Sequence, residues 1–128
     1  MTIVDMVRLQ QIAEVEFAAI VTEASVPDLN ELRIILNDGS FIDVWFSLKL
    51  AGRYSYHWER KAIDGTTYRH DNAPHQRWQS VATFPHHFHD GSEAEVVESH
   101  LSPNPEDALR EFLTFAQQRL KKSSDDKT

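Results

Sequence analysis

Turn signals recur through the first half of the chain and leave only short segments between them. That pattern confines the chain to short strands joined by tight connections. Pro27-Asp28, Asn37-Asp38-Gly39, Ala51-Gly52 and Asp64-Gly65 interrupt the sequence, and Asn, Asp and Gly adopt the backbone conformations that reverse a strand. The stretches between them suit extended backbone. From Glu14 a two-residue repeat begins, with Val15, Phe17, Ala19 and Val21 alternating with Glu14, Glu16, Ala18 and Ile20. Leu29 to Leu36, Phe41 to Leu48, Arg53 to Lys61 and Thr66 to His70 follow as further predicted strands, rich in aromatic and β-branched residues. Short connections join neighbouring antiparallel strands, so the expected core is a meander of about five strands.

Helical patterns flank this region. Ile3, Met6, Val7 and Leu9 suit a short N-terminal helix. Near the other end, Asn104 is a candidate N-cap, Pro105 fits a first helical position, and Glu106 and Asp107 favour the positive helix end. Leu109, Phe112, Leu113, Ala116 and Leu120 then form an apolar stripe that predicts packing against the sheet. After Asp71 the regular pattern breaks down, and a long loop is expected, with a brief extended piece at Val81 to Phe84 and a possible return to the sheet at Glu93 to Val97. The predicted class is α+β, a single domain over residues 1–122 with a polar tail over 123–128.

The 128 residues suffice for one core. The absence of cysteine excludes disulfides, thiolate nucleophiles and cysteine metal sites and fits a reducing compartment. No stretch reaches the roughly 18–20 apolar residues of a membrane span, and the first residues do not read as a signal peptide. A cytoplasmic location without membrane association is expected.

The net charge is −7, which by itself argues against nucleic-acid binding. Its distribution changes that conclusion. From Arg53 to His89 five basic residues face three acidic ones, and six of the seven histidines fall there. The remainder carries eight basic and seventeen acidic residues. A polyanion can meet the first region and a basic partner the second.

Three clusters in that window carry candidate chemistry. In the strand Arg53-Tyr54-Ser55-Tyr56-His57-Trp58-Glu59, the residues Tyr54, Tyr56 and Trp58 share one face, while Ser55, His57 and Glu59 share the other. A two-residue turn at Asp64-Gly65 would set His57 opposite Asn72 and Glu59 opposite His70. A three-residue turn would bring Arg69 and Asp71 to that face instead. The second cluster, Asp71-Asn72-Ala73-Pro74-His75, and the third, Phe84-Pro85-His86-His87-Phe88-His89, are expected in loops. A divalent metal at His86, His87 or His89 is a minority reading, because adjacent side chains diverge in extended backbone and helical His-x-x-x-His spacing is absent. Metal-free RNA cleavage needs a base for the 2′-hydroxyl, an acid for the leaving 5′-oxygen and cations on the phosphate. The residues supply these parts.

The order of these motifs resembles the TumE family of toxin–antitoxin proteins: Asp38-Gly39-Ser40, Tyr54 through His57, Arg69 through His75, and Pro85 through His89. His70 stands where tyrosine is expected, Gln76 where a second histidine is common, and Phe88 where lysine is frequent. The resemblance implies a growth-inhibiting toxin encoded beside an antitoxin, expected to be a helix-turn-helix DNA-binding protein. By analogy with other small toxins, the expected activity is that of a metal-independent endoribonuclease. His57, His75 and His87 are the expected proton-transfer groups, with His89 as a substitute; Arg69 holds the phosphate and Asp71 orients a histidine. Arg53, Tyr54, Tyr56, Asn72, Trp78 and His86 are expected to bind substrate, and no cofactor is expected. The alternative is a non-enzymatic protein that binds a metal or anion and acts through a partner.

Overall fold

The computed structural model describes residues 3–125. Seven strands form one antiparallel sheet in sequence order: β1 (Val21–Asp28), β2 (Glu31–Leu36), β3 (Phe41–Phe46), β4 (Tyr54–Arg60), β5 (Thr66–Asp71), β6 (His87–Gly91) and β7 (Val96–Glu98). Helix α1 (Met6–Glu16) precedes the sheet, and a four-residue helix, α2 (Lys61–Asp64), joins β4 to β5. A single 3-10 turn spans Gln76–Trp78, and α3 (Pro105–Asp125) closes the chain. The α+β meander therefore has two strands more than the five expected. No helix among the described residues is long and apolar enough to cross a membrane.

Alternation along the strands sorts side chains onto two faces. In register, Leu32, Val44, Tyr56, His70 and Phe88 line up across β2 to β6, and Ile34, Ile42, Trp58 and Tyr68 form a parallel row. Both helices lie over these rows. Met6, Leu9, Ile12 and Ala13 of α1 and Leu109, Phe112, Leu113 and Ala116 of α3 are buried in the same core. Phe112 meets Tyr56 edge-on, and Phe115 does the same with Trp58 and Tyr68. Asn104 caps α3 as expected: its Oδ1 accepts from the N–H groups of Glu106 and Asp107 at 3.0 and 3.1 Å.

Several boundaries differ from the sequence reading. The repeat assigned to a strand from Glu14 is divided: Glu14 to Glu16 end α1, where burial follows helical spacing and Val15 is exposed, residues 17–20 turn, and the strand begins only at Val21. Val81 to Phe84 forms turns and not an extended piece. The third histidine cluster does not lie in a loop, since His87–Gly91 is a paired strand. Its alternation is hard to read because the face opposite Phe88 carries histidines. Of the expected tail, residues 123–125 end α3 and 126–128 lie outside the described residues.

The β4–β5 connection decides which side chains meet. Neither expected tight turn forms. Instead α2 spans the gap and ends at Gly65, whose φ of +80° is the left-handed conformation that favours glycine. This connection sets His57 opposite Arg69 and Ser55 opposite Asp71. The parity is that of the second alternative, with Arg69 and Asp71 on the His57 face.

His70 occupies the other face, against the core. Its ring stacks on Phe88 at 4.2 Å, and its Nδ1 lies 2.7 Å from Ser99 Oγ. Burial pulls its pKa down to about 4, although Asp71 opposes the shift. An unfolded chain takes up this proton near pH 6.5, so the stability His70 contributes is complete above that pH. It is lost as pH falls from 6.5 towards 4, by about 3 kcal/mol. Urea titrations of wild type and His70→Phe across this window are expected to show a flatter pH dependence for the variant.

Candidate active site on the open face of the sheet

The sheet face away from the helices is polar. Five strands present Arg33, Asp43, His57, Arg69 and His89 to it in one continuous register row. The adjacent row holds Ser55, Asp71 and His87. Antiparallel pairing brings such opposite residues within side-chain reach. Arg69 is thus flanked by His57 on β4 and His89 on β6.

Arg69 is the hub. Its Nε donates to Asp71 Oδ2 at 2.9 Å, Nη1 to Glu93 Oε1 at 2.8 Å and Nη2 to Glu93 Oε2 at 2.7 Å. Nη2 also approaches His89 Nε2 at 3.1 Å. Burial alone would raise the Glu93 pKa, but the hydrogen bonds and charge of Arg69 outweigh it and hold the carboxyl below its ordinary value. Burial likewise lowers the Arg69 pKa, and the same carboxylates more than compensate, so the guanidinium stays charged.

The two β6 histidines are fixed from behind. His87 Nδ1 lies 3.0 Å from the carbonyl oxygen of Pro85, and His89 Nδ1 lies 3.0 Å from that of Glu93. A carbonyl only accepts, so each Nδ1 carries the proton and each Nε2 faces the site. Burial first, and then the neighbouring Arg69 charge, lower the His89 pKa, which favours neutral imidazole. His87 Nε2 lies 3.0 Å from Asp71 Oδ1 but is not aimed along it, and this buried atom has no hydrogen-bond partner. Trp78 shields the pair, its ring 6.3 Å from that of His87 and 5.8 Å from that of His89. His57 is more open: its side chain is 23% exposed, and its Nε2 lies 3.2 Å from Glu59 Oε1.

Among the residues singled out from sequence, His57, Arg69, Asp71, His87, His89 and Trp78 come together here. His87 and His89 are 0% and 2% exposed, so neither meets solvent directly. His75 is exposed, and its ring makes no hydrogen bond among the described residues. It stands outside the hydrogen-bonded cluster.

The expected substrate-binding set is largely placed elsewhere. Tyr56 belongs to the core at 2% exposure, where no base can stack on it. Asn72 is committed to the backbone: its Oδ1 accepts from Tyr54 N–H at 3.0 Å and its Nδ2 donates to Gly52 O at 2.8 Å. Tyr54 and His86 stack on each other and share a 2.9 Å hydrogen bond. With Arg53 they line an apolar cleft that includes none of the Arg69 cluster. His86 therefore does not join His87 and His89. Glu93 was missed from the sequence, because its role depends on β6 being a strand and on a short β6–β7 connection.

A family model described as Toxin TumE matches residues 7–120. No curated protein and no solved structure matches the chain.

Proposed function

The chain belongs to the TumE toxin family, the toxin side of a toxin–antitoxin pair, and on that premise we propose that it is an endoribonuclease working by metal-independent acid–base chemistry. The single observation that carries this reading is the row His57–Arg69–His89, a guanidinium with an imidazole on either side. In-line cleavage by the 2′-hydroxyl needs a proton acceptor, a proton donor and a cation on the phosphate between them. His57, the more accessible imidazole, takes the 2′-hydroxyl proton. Arg69 turns to the phosphate oxygens and so releases His89 Nε2, which takes a proton from solvent and gives it to the leaving 5′-oxygen, while the proton taken by His57 returns to solvent. Asp71 orients Arg69 and His87 buttresses the floor. His75, exposed on the neighbouring segment, meets the substrate from the rim.

Glu93 explains how the site stays ordered without RNA. Its carboxylate makes two parallel bonds to Arg69, the geometry in which a phosphate also binds arginine. The Glu93 side chain is 55% exposed, so it can be exchanged for a backbone phosphate without unfolding the floor. Trp78 then offers a ring beside the bound nucleotide.

The partner in this reading is an antitoxin with a helix-turn-helix DNA-binding domain, met by the acidic part of the chain, and the setting is the cytoplasm. The test is purified protein incubated with RNA in EDTA. Expected are fragments ending in 2′,3′-cyclic phosphate. Intact RNA, from protein that still arrests growth when expressed, would exclude the mechanism.

A further inference from the structure

Asp71, His87 and His89 each turn one ligating atom into a common space, and the three atoms lie within 4.8 Å of one another. His87 supplies the informative detail. Its Nδ1 proton is committed to Pro85 O, so its Nε2 presents a lone pair. That lone pair is buried and unpartnered, 3.0 Å from a carboxylate oxygen that also only accepts. Two acceptors facing each other away from water repel unless a cation lies between them. A second proton on His87 meets the need poorly, since its Nε2 is not aimed at the Asp71 oxygen.

We propose that Asp71, His87 and His89 form a binding site for one divalent transition-metal ion of the zinc class. Both imidazoles already have the arrangement of metal-bound histidines, with the far N–H donated to a backbone carbonyl and the near nitrogen presenting a lone pair, unpartnered on His87 and held by Arg69 Nη2 on His89. Two imidazoles and one carboxylate suit zinc, nickel or copper better than magnesium or calcium, which prefer oxygen. Three protein ligands leave a fourth position for water. Arg69 does not forbid the ion. Its charge is matched by the paired bonds to Glu93, which leaves the Asp71 carboxylate to balance the metal. Arg69 Nη2 need only release His89 Nε2.

Binding has a consequence that rests on the cleavage reading above. An ion on His89 Nε2 removes the lone pair that must gain a proton, so the metal is a brake on cleavage and not a cofactor for it. The site itself stands without that reading.

The test begins with EDTA-stripped protein titrated with Co²⁺. Expected is a visible d–d absorption that saturates at one ion per chain and is displaced by Zn²⁺. His87→Gln and Asp71→Asn should each weaken binding at least tenfold, while His100→Ala, at the exposed surface, should not change it. Should either site variant fail to fold, long-range ¹H–¹⁵N spectra of the wild-type histidines decide. Zinc should move two Nε2 resonances while their Nδ1 protons persist. No absorption and no Nε2 shift, or equal affinity in a folded His87→Gln protein, would overturn the site. RNA cleaved in EDTA but spared by Zn²⁺ supports the brake. RNA left intact in both, with Co²⁺ binding unchanged, removes the brake and the nuclease reading together and leaves the metal site in place.

Discussion

His57→Ala is expected to lower RNA cleavage by roughly 10²–10⁴-fold, the range for loss of a positioned general base. The expectation follows from exposure and register. His57 is the open imidazole of the row, and it is the cross-strand neighbour of Arg69 on β4. Glu59 holds its Nε2 from one side. Burial would raise the Glu59 pKa, but bonds from the Lys61 N–H and from His57 outweigh it and keep the carboxyl below its ordinary value, so it remains an anionic anchor. A partly exposed polar residue of this kind, with a single side-chain bond to Glu59, adds little to stability, and urea unfolding of the variant should differ from wild type by less than about 1 kcal/mol. His57→Gln keeps a hydrogen-bonding side chain without proton transfer and should be as inactive as His57→Ala. Wild-type cleavage rates in both variants would remove His57 from the chemistry and leave it a paired surface residue.

Asp71→Ala is expected to cost about 3 kcal/mol of folding stability, the lower end of the range for removing one partner of a buried ion pair. The Asp71 side chain is only 10% exposed. Its Oδ2 accepts from Arg69 Nε at 2.9 Å and its Oδ1 from the Ala73 N–H at 3.0 Å. Alanine leaves both donors unmet in a region with little water. The cost stays at the lower end because Arg69 keeps its two bonds to Glu93. Asp71→Asn retains an acceptor for Ala73 and should lose roughly half as much. Urea unfolding with an unchanged m-value measures both. A loss below about 1 kcal/mol for Asp71→Ala would mean that the carboxylate is dispensable to the fold and that Arg69 is held by Glu93 alone.

The parts of this arrangement that could be read in the sequence are those carried by local chemistry. Glycine turns at Gly39, Gly52 and Gly65 mark the connections of the central strands, and all three have positive φ. The cap at Asn104 and the stripe from Leu109 to Leu120 place α3, because both obey rules that need no tertiary partner. What escaped depends on partners distant in the chain. β6 hid because His87 and His89 point to a face made polar by Arg69 and Asp71, so hydrophobic alternation is replaced by alternation of histidine and phenylalanine. The end of α1 was misread because Val15 and Phe17 fit a strand as well as a helix, and only the burial of Ile12 and Ala13 separates the two. Register was undecided because it hinged on whether Lys61 to Asp64 would coil into a helical turn, which composition does not fix. Tyr54, Tyr56 and Trp58 were placed correctly on one face, but which face the helices cover was not legible. That choice removes Tyr56 from any surface role and leaves Trp78 as the aromatic residue beside the histidines.

The most direct measurement is a crystal structure with a 2′-deoxy dinucleotide, which binds as RNA would but lacks the attacking hydroxyl. The phosphate is expected on Arg69 in place of the Glu93 carboxylate. The Nδ1 atom of His57, whose Nε2 proton goes to Glu59, and the Nε2 atom of His89 should lie on opposite sides of it, within about 3 Å of the oxygens they would serve. A phosphate bound elsewhere, with Glu93 still paired to Arg69, would contradict the assignment of this row as the reacting centre.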